Sequence, residues 1–177
     1  MMLKLLAHRL VGRFGRRYRY DTGYMKEMIE EDFAGFRRFA KLADLSSYGF
    51  GLPSGPLFAA KFIATRAAGC GPCVELVIRM AEEAGVSRAA LAAIARKGCP
   101  ADPDMRLAAD FAEAVVTNGA GLPDLLEAVE ARFGRRGRTG LSVAIATAHF
   151  YPMVKRGMGH ARDCDMLPPE FRPARAT

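Results

Sequence analysis

Apolar positions along the 177-residue chain recur at a three-to-four spacing, not in strict alternation, so the pattern predicts helices. Turn signals divide the chain into about eight helical segments. In the first, Leu3, Leu6, Leu10 and Phe14 share one face, opposite Arg9, Arg13 and Arg16. Residues 22–43 read as one helix, with Met25, Met28, Ile29, Phe33, Phe36 and Phe39 as its stripe. Such a stripe suits a core and can equally line a ligand pocket. Residues 44–56, with Gly49, Gly51, Pro53, Gly55 and Pro56, read as a linker.

A helix is then expected from Pro56 to Ala68, stopped at Gly69, because glycine takes the left-handed stop conformation at little steric cost. Further helices are expected from Pro72 to Ala84, from Ser87 through Arg96, from Asp102-Pro103 to Thr117, and from Pro123-Asp124 to Gly134. The last long one begins at Thr139 and should kink or break at Pro152, which lacks an N–H. The fold class is therefore all-α. The reading divides the chain into a basic arm (1–20), a helical domain (21–165) and a loose proline-rich tail (166–177).

Charge changes the picture at one end only. The net charge is +7, and residues 1–20 hold six cations (Lys4, Arg9, Arg13, Arg16, Arg17, Arg19) and no acid. The remainder is nearly neutral, which gives no basic face for nucleic acid. The arm suits packing on its own domain or a neighbouring subunit, with contact at a membrane surface as the alternative. No stretch approaches 18 uncharged apolar residues, so no membrane span is expected. Met1 to Phe14 alternates apolar and basic residues, unlike a secretory signal; it also fits a mitochondrial presequence. A reducing cytoplasm is the favoured expectation.

Cys70-Gly71-Pro72-Cys73 is the sharp chemical motif. Pro72 suits the first helical position, which puts Gly71 at the cap and Cys73 in the first turn. The free N–H groups and the dipole there favour an anion such as a thiolate. An ordinary thiol, with pKa about 8.5, is mostly protonated at neutral pH, and a helix N-terminus or a nearby cation lowers that value. Arg66, one turn earlier, is a candidate cation. Cysteines three apart in such a turn are within disulfide reach. A redox couple, a buried packing pair and a metal site are the alternatives. Zinc normally takes four ligands and no second C-x-x-C follows, so no metal is expected, and no other cofactor. Cys99 and Cys164 read as incidental thiols. Thioredoxins use the same tetrapeptide after a buried strand, but here the preceding Phe58–Ala68 has helical composition.

Ala67-Ala68-Gly69-Cys70-Gly71-Pro72-Cys73, followed by Val74 through Val86-Ser87, resembles the AhpD-like / carboxymuconolactone decarboxylase superfamily. Asp104–Val115 and Phe133–Phe150 are similar to its next helix and to the start of its last, and the resemblance covers roughly residues 25–162. It implies an all-helical fold of seven to eight helices assembled as trimers or larger homo-oligomers. It also implies a thiol peroxidase or disulfide oxidoreductase acting on a peroxide or disulfide with a thiol reductant. Cys73 would attack the peroxide and Cys70 would close the disulfide. The chain departs from the family's peroxidases at two positions. A glutamate twelve residues before the first cysteine is Phe58, and a histidine four after the second is Val77. His149 is the best substitute base, with a structural histidine as the plainer reading. Arg156 and His160 read as solvated helix-end charges, Glu82-Glu83 as solvent face, and Arg135, Arg136 and Arg138 as a solvated turn. The alternative function is a non-catalytic helical oligomer that binds a small apolar ligand or a protein partner.

Overall fold

The computed structural model describes residues 2–96, 101–161 and 171, and these contain eight helices and no strand. They are α1 (Met2–Tyr18), α2 (Gly23–Glu31), α3 (Phe33–Ser47), α4 (Ser54–Ala67), α5 (Gly71–Glu83), α6 (Arg88–Ala95), α7 (Pro103–Thr117) and α8 (Leu122–Gly157). Cys99, Cys164 and most of the 166–177 tail lie outside the described residues.

Helix α4 is the hub. Every residue from Pro56 to Thr65 is buried, as expected of a helix apolar on all sides. It packs against α5, α6, α7 and α8, and Phe62, Phe111, Ile78, Leu141 and Ile145 fill the space between them. Two side-chain caps set the neighbouring helices. Ser87 Oγ accepts from Ala90 N at 3.2 Å, and Asp102 Oδ1 accepts from Met105 N at 2.9 Å. Each satisfies a donor that has no partner inside its helix. Phe171, the one described residue of the tail, is buried against Phe62 with ring centroids 5.1 Å apart.

Four expected boundaries shift. The single helix of residues 22–43 divides at Asp32, where the backbone is extended (φ −146°, ψ 92°). An aspartate competes poorly inside a helix, and a Cβ on Gly35 would stand 2.6 Å from the Asp32 carboxylate. The linker is shorter than expected, because α3 runs to Ser47 and α4 begins at Ser54. The helix that opens at Leu122 breaks at Gly134 (φ 71°, ψ 174°), as expected, but the last helix resumes directly after it and not at Thr139. Pro152 does not end α8, which continues to Gly157. Proline leaves the carbonyl four residues back without its helical donor. That carbonyl belongs to Ala148, and the Thr65 hydroxyl of α4 lies 3.5 Å from it.

Helix α1 is joined to the body. It packs against α2 and α5, with Val11 buried beside Ile29 and Phe36. Arg17 and Tyr18 hold Glu83 of α5, and Arg79 of α5 donates to the Tyr18 carbonyl. Leu3, Leu5, Leu6 and Leu10 remain exposed. No described helix is long and apolar enough to cross a membrane.

Gly140 lets the 48–53 loop lie on α8, since a Cβ there would stand 2.6 Å from Phe50 Cβ and 2.9 Å from a Leu52 methyl. Gly140→Ala should lower unfolding stability by about 1–3 kcal/mol through overpacking. Asp102→Ala should cost about 1 kcal/mol through its lost cap. Urea denaturation of each variant measures both.

Candidate functional site: a cysteine pair on an apolar cavity

The turn between α4 and α5 builds the cysteine site. Gly69 ends α4 in the left-handed conformation (φ +70°), and its N–H bonds the Arg66 carbonyl at 3.0 Å. Cys70 follows as the extended N-cap of α5 (φ −114°, ψ 94°), and Val74 N–H returns to its carbonyl at 2.9 Å. Pro72 is thus the second helical residue and Gly71 the first, one place later than expected. The physical reason is that Cys70, not Gly71, takes the extended cap conformation. Cys73 stays in the first turn. The two sulfurs stand 2.35 Å apart, at disulfide distance, with Cα atoms 5.2 Å apart. That Cα separation lies inside the range bridged cysteines adopt.

Both cysteines are buried, Cys70 fully and Cys73 to 3% exposure. Tyr20 and Tyr24 are buried with them, and Phe14, Phe39, Leu76 and Val154 pack around the group. Tyr20 Oη is 3.5 Å from Cys73 Sγ, within hydrogen-bond reach of sulfur. Lys155 of α8, only 2% exposed, lies 4.9 Å from the centre of the Tyr20 ring and 3.6 Å from Asp21 Oδ2. A cation on a ring face gains from the ring quadrupole, so Lys155 holds Tyr20 in place over Cys73. Arg156 also serves the turn, donating to the Ala68 carbonyl at the end of α4.

Cys73 lines a cavity of about 380 Å³ bounded by α1, α2, α3, α4, α5 and α8 and open at one side. Its wall is almost wholly apolar. Met25, Phe36 and Phe39 of the methionine–phenylalanine stripe belong to it, as do Phe58 and Val77, the two positions that depart from the peroxidase pattern. Exposed Leu10 of α1 and Ala40, Ala43 and Ser47 of α3 mark its rim. Lys61 is the one charged residue among those lining it. Its ammonium donates to the Ser46 carbonyl at 2.6 Å and lies 5.4 Å from the Phe58 ring centre. Burial pushes Lys61 down from its ordinary 10.5 to about 8, with no acid among the described residues beside it to offset the loss of water. Burial likewise raises the phenols of Tyr24 and Tyr151, the latter to about 12.

The remaining sequence candidates lie elsewhere. His149 Nδ1 faces the Ala64 carbonyl at 3.2 Å, and the residue does not line the cavity. Arg66 turns away from the cysteines to donate to the Ala95 carbonyl. Arg156 and His160 are not free helix-end charges. Arg156 donates to the end of α4, and His160, just past α8, pairs with Glu27 of α2 at 2.6 Å with its ring 6.4 Å from that of Tyr24. Glu82 and Glu83 also have partners, in Arg88 and Arg17. Of the arginine cluster, Arg138 pairs with Glu130 at 2.5 Å and Arg136 donates to Tyr48 Oη at 3.0 Å. Among the described residues, no three His, Cys, Asp or Glu side chains gather as a metal site.

Sequence reading missed Tyr20 and Lys61. Tyr20 sits at the end of the arm, 53 positions from Cys73. Lys61 carried a usable signal, as the single charge between Pro56 and Thr65 in an otherwise apolar helix. No protein-family model, curated protein or solved structure matches the chain.

The lowered Lys61 fixes the sign of a pH effect. Between about 8 and 10.5 the unfolded chain holds a proton that the folded chain has released, so stability rises with pH across that window. The shift corresponds to about 3 kcal/mol. Denaturation at pH 7 and pH 10 should show the wild-type chain gaining up to that amount relative to Lys61→Met.

Proposed function

We propose that the chain is a thiol–disulfide oxidoreductase of the AhpD-like kind, in which Cys70 and Cys73 cycle between dithiol and disulfide. The observation that carries this reading is a C-x-x-C pair at disulfide distance on a helix N-terminus, with Cys73 on the wall of a substrate-sized cavity. The reduced Cys73 thiolate attacks the outer oxygen of a hydroperoxide. The O–O bond breaks, the alkoxide leaves as an alcohol after taking a proton, and Cys73 becomes a sulfenic acid. The Cys70 thiol then attacks that sulfur, the S–S bond forms, and water departs. A thiol reductant restores the pair through a mixed disulfide. Tyr20 is the proton donor nearest the reacting sulfur and takes the place that the family's glutamate and histidine leave open. Assembly into a trimer or larger oligomer belongs to the same reading, and the exposed leucines of α1 offer apolar surface for it.

A second reading is favoured by Phe58 and Val77, which make the cavity wall apolar where acid–base groups would stand. In it, the cavity binds a small apolar ligand and the cysteines only brace the turn.

Stopped-flow oxidation of the reduced protein by cumene hydroperoxide decides between the two. Under the redox reading, Cys73 reacts faster than free cysteine and Cys73→Ser abolishes the reaction. Cys70→Ser traps a sulfenic acid that dimedone labels. Tyr20→Phe slows the oxidation by about 100-fold, the lower end of general-acid contributions. A rate equal to that of free cysteine, unchanged by Cys73→Ser, rejects the redox reading.

A further inference from the structure

Lys61 is an expensive residue for its place. It is 6% exposed, on a helix buried all round, and makes no ion pair among the described residues. An isolated buried charge is strongly unfavourable unless something compensates it. The Ser46 carbonyl takes one of the three ammonium protons, and the Phe58 ring faces the charge. Both of those residues line the cavity, so the ammonium stands at the wall of an apolar chamber that lacks any counter-charge of its own.

We propose that the cavity binds an acidic amphiphile, an aliphatic chain ending in one carboxylate, whose head pairs with Lys61 and whose tail lies along Phe36, Phe39 and Met80 toward Cys73. Three features select that class. A single cation suits a single negative charge better than a phosphate dianion. The remaining wall is mostly aromatic, aliphatic and sulfur surface for the tail, with Ser46, Ser47, Thr65 and three tyrosines as its uncharged polar members. The volume, about 380 Å³, sits near the lower end of small-molecule sites, which suits one chain and not a two-chain lipid. The inference deepens the reading of the cavity as a ligand site and does not require the cysteine pair to turn over.

Calorimetric titration of the oxidised full chain at pH 7 with decanoate, decanol and decylamine tests it. Decanoate should bind one to one and at least about tenfold more tightly than decanol, since a charge-assisted pair exceeds a neutral hydrogen bond. Decylamine should bind weakest. Lys61→Met should bring decanoate to within about twofold of decanol, and Lys61→Arg should keep the preference. Far-UV circular dichroism and a urea midpoint establish that each variant is folded, and the wild-type preference is read without any variant. Equal binding of decanoate and decanol to the wild type, or a decanoate preference that survives Lys61→Met, overturns the assignment to Lys61 while leaving an apolar ligand site in place. Failure of all three to bind overturns the ligand site as well. Neither result depends on whether the dithiol reacts with peroxide.

Discussion

The architecture depends on one constraint, the removal of α4 from water on every side. Ten consecutive buried residues can be covered only if other helices surround them, and α5, α6, α7 and α8 do so. Burial on that scale is the dominant favourable term in folding. It also fixes where the chemistry falls. The helix must end at Gly69 and the chain must turn at once into α5, so Cys70 and Cys73 arrive at the centre of the molecule and not on a surface loop.

The cavity follows from the same constraint. Phe58, Lys61 and Thr65 recur at three- and four-residue spacing along α4, so they share a face. α1 and α3 bound the space beside that face, and their exposed residues Leu10, Ala40, Ala43 and Ser47 form its edge. The division at Asp32 matters here. It turns one amphipathic stretch into two helices that pack against each other, so Tyr24 and Met25 of α2 and Phe36 and Phe39 of α3 all reach the chamber.

Much of this was legible in the sequence. Caps and stops wrote the helices plainly, because Ser87, Asp102 and Gly69 each act through local backbone geometry that needs no knowledge of the rest of the chain. The C-x-x-C turn was legible for the same reason. The division at Asp32 was not, because the apolar spacing runs unbroken across it and a single residue leaves the helical conformation there. Pro152 misled in the opposite sense, since a proline stops an isolated helix but not one held by neighbours on both sides. Tyr20 and Lys61 could not be assigned to the site from periodicity alone. Tyr20 comes to Cys73 by long-range packing, and Lys61 gains its meaning only from an empty space beside it.

The freed carbonyl of Ala148 gives Pro152 a mechanical role. A regular helix can slide along a neighbour by trading one set of apolar contacts for another. Here α8 offers α4 a polar mark at a single height, facing the Thr65 hydroxyl at 3.5 Å, which bonds the Lys61 carbonyl of its own helix at 2.8 Å. Displacing α8 by one turn would strand that oxygen in hydrocarbon. The same displacement would carry Lys155 off the Tyr20 ring and Arg156 off the end of α4. The register of α8 on α4 thereby sets two distant cations, Lys155 and Arg156, at the height of the sulfur-bearing turn, and the proline between them and Ala148 leaves that register intact.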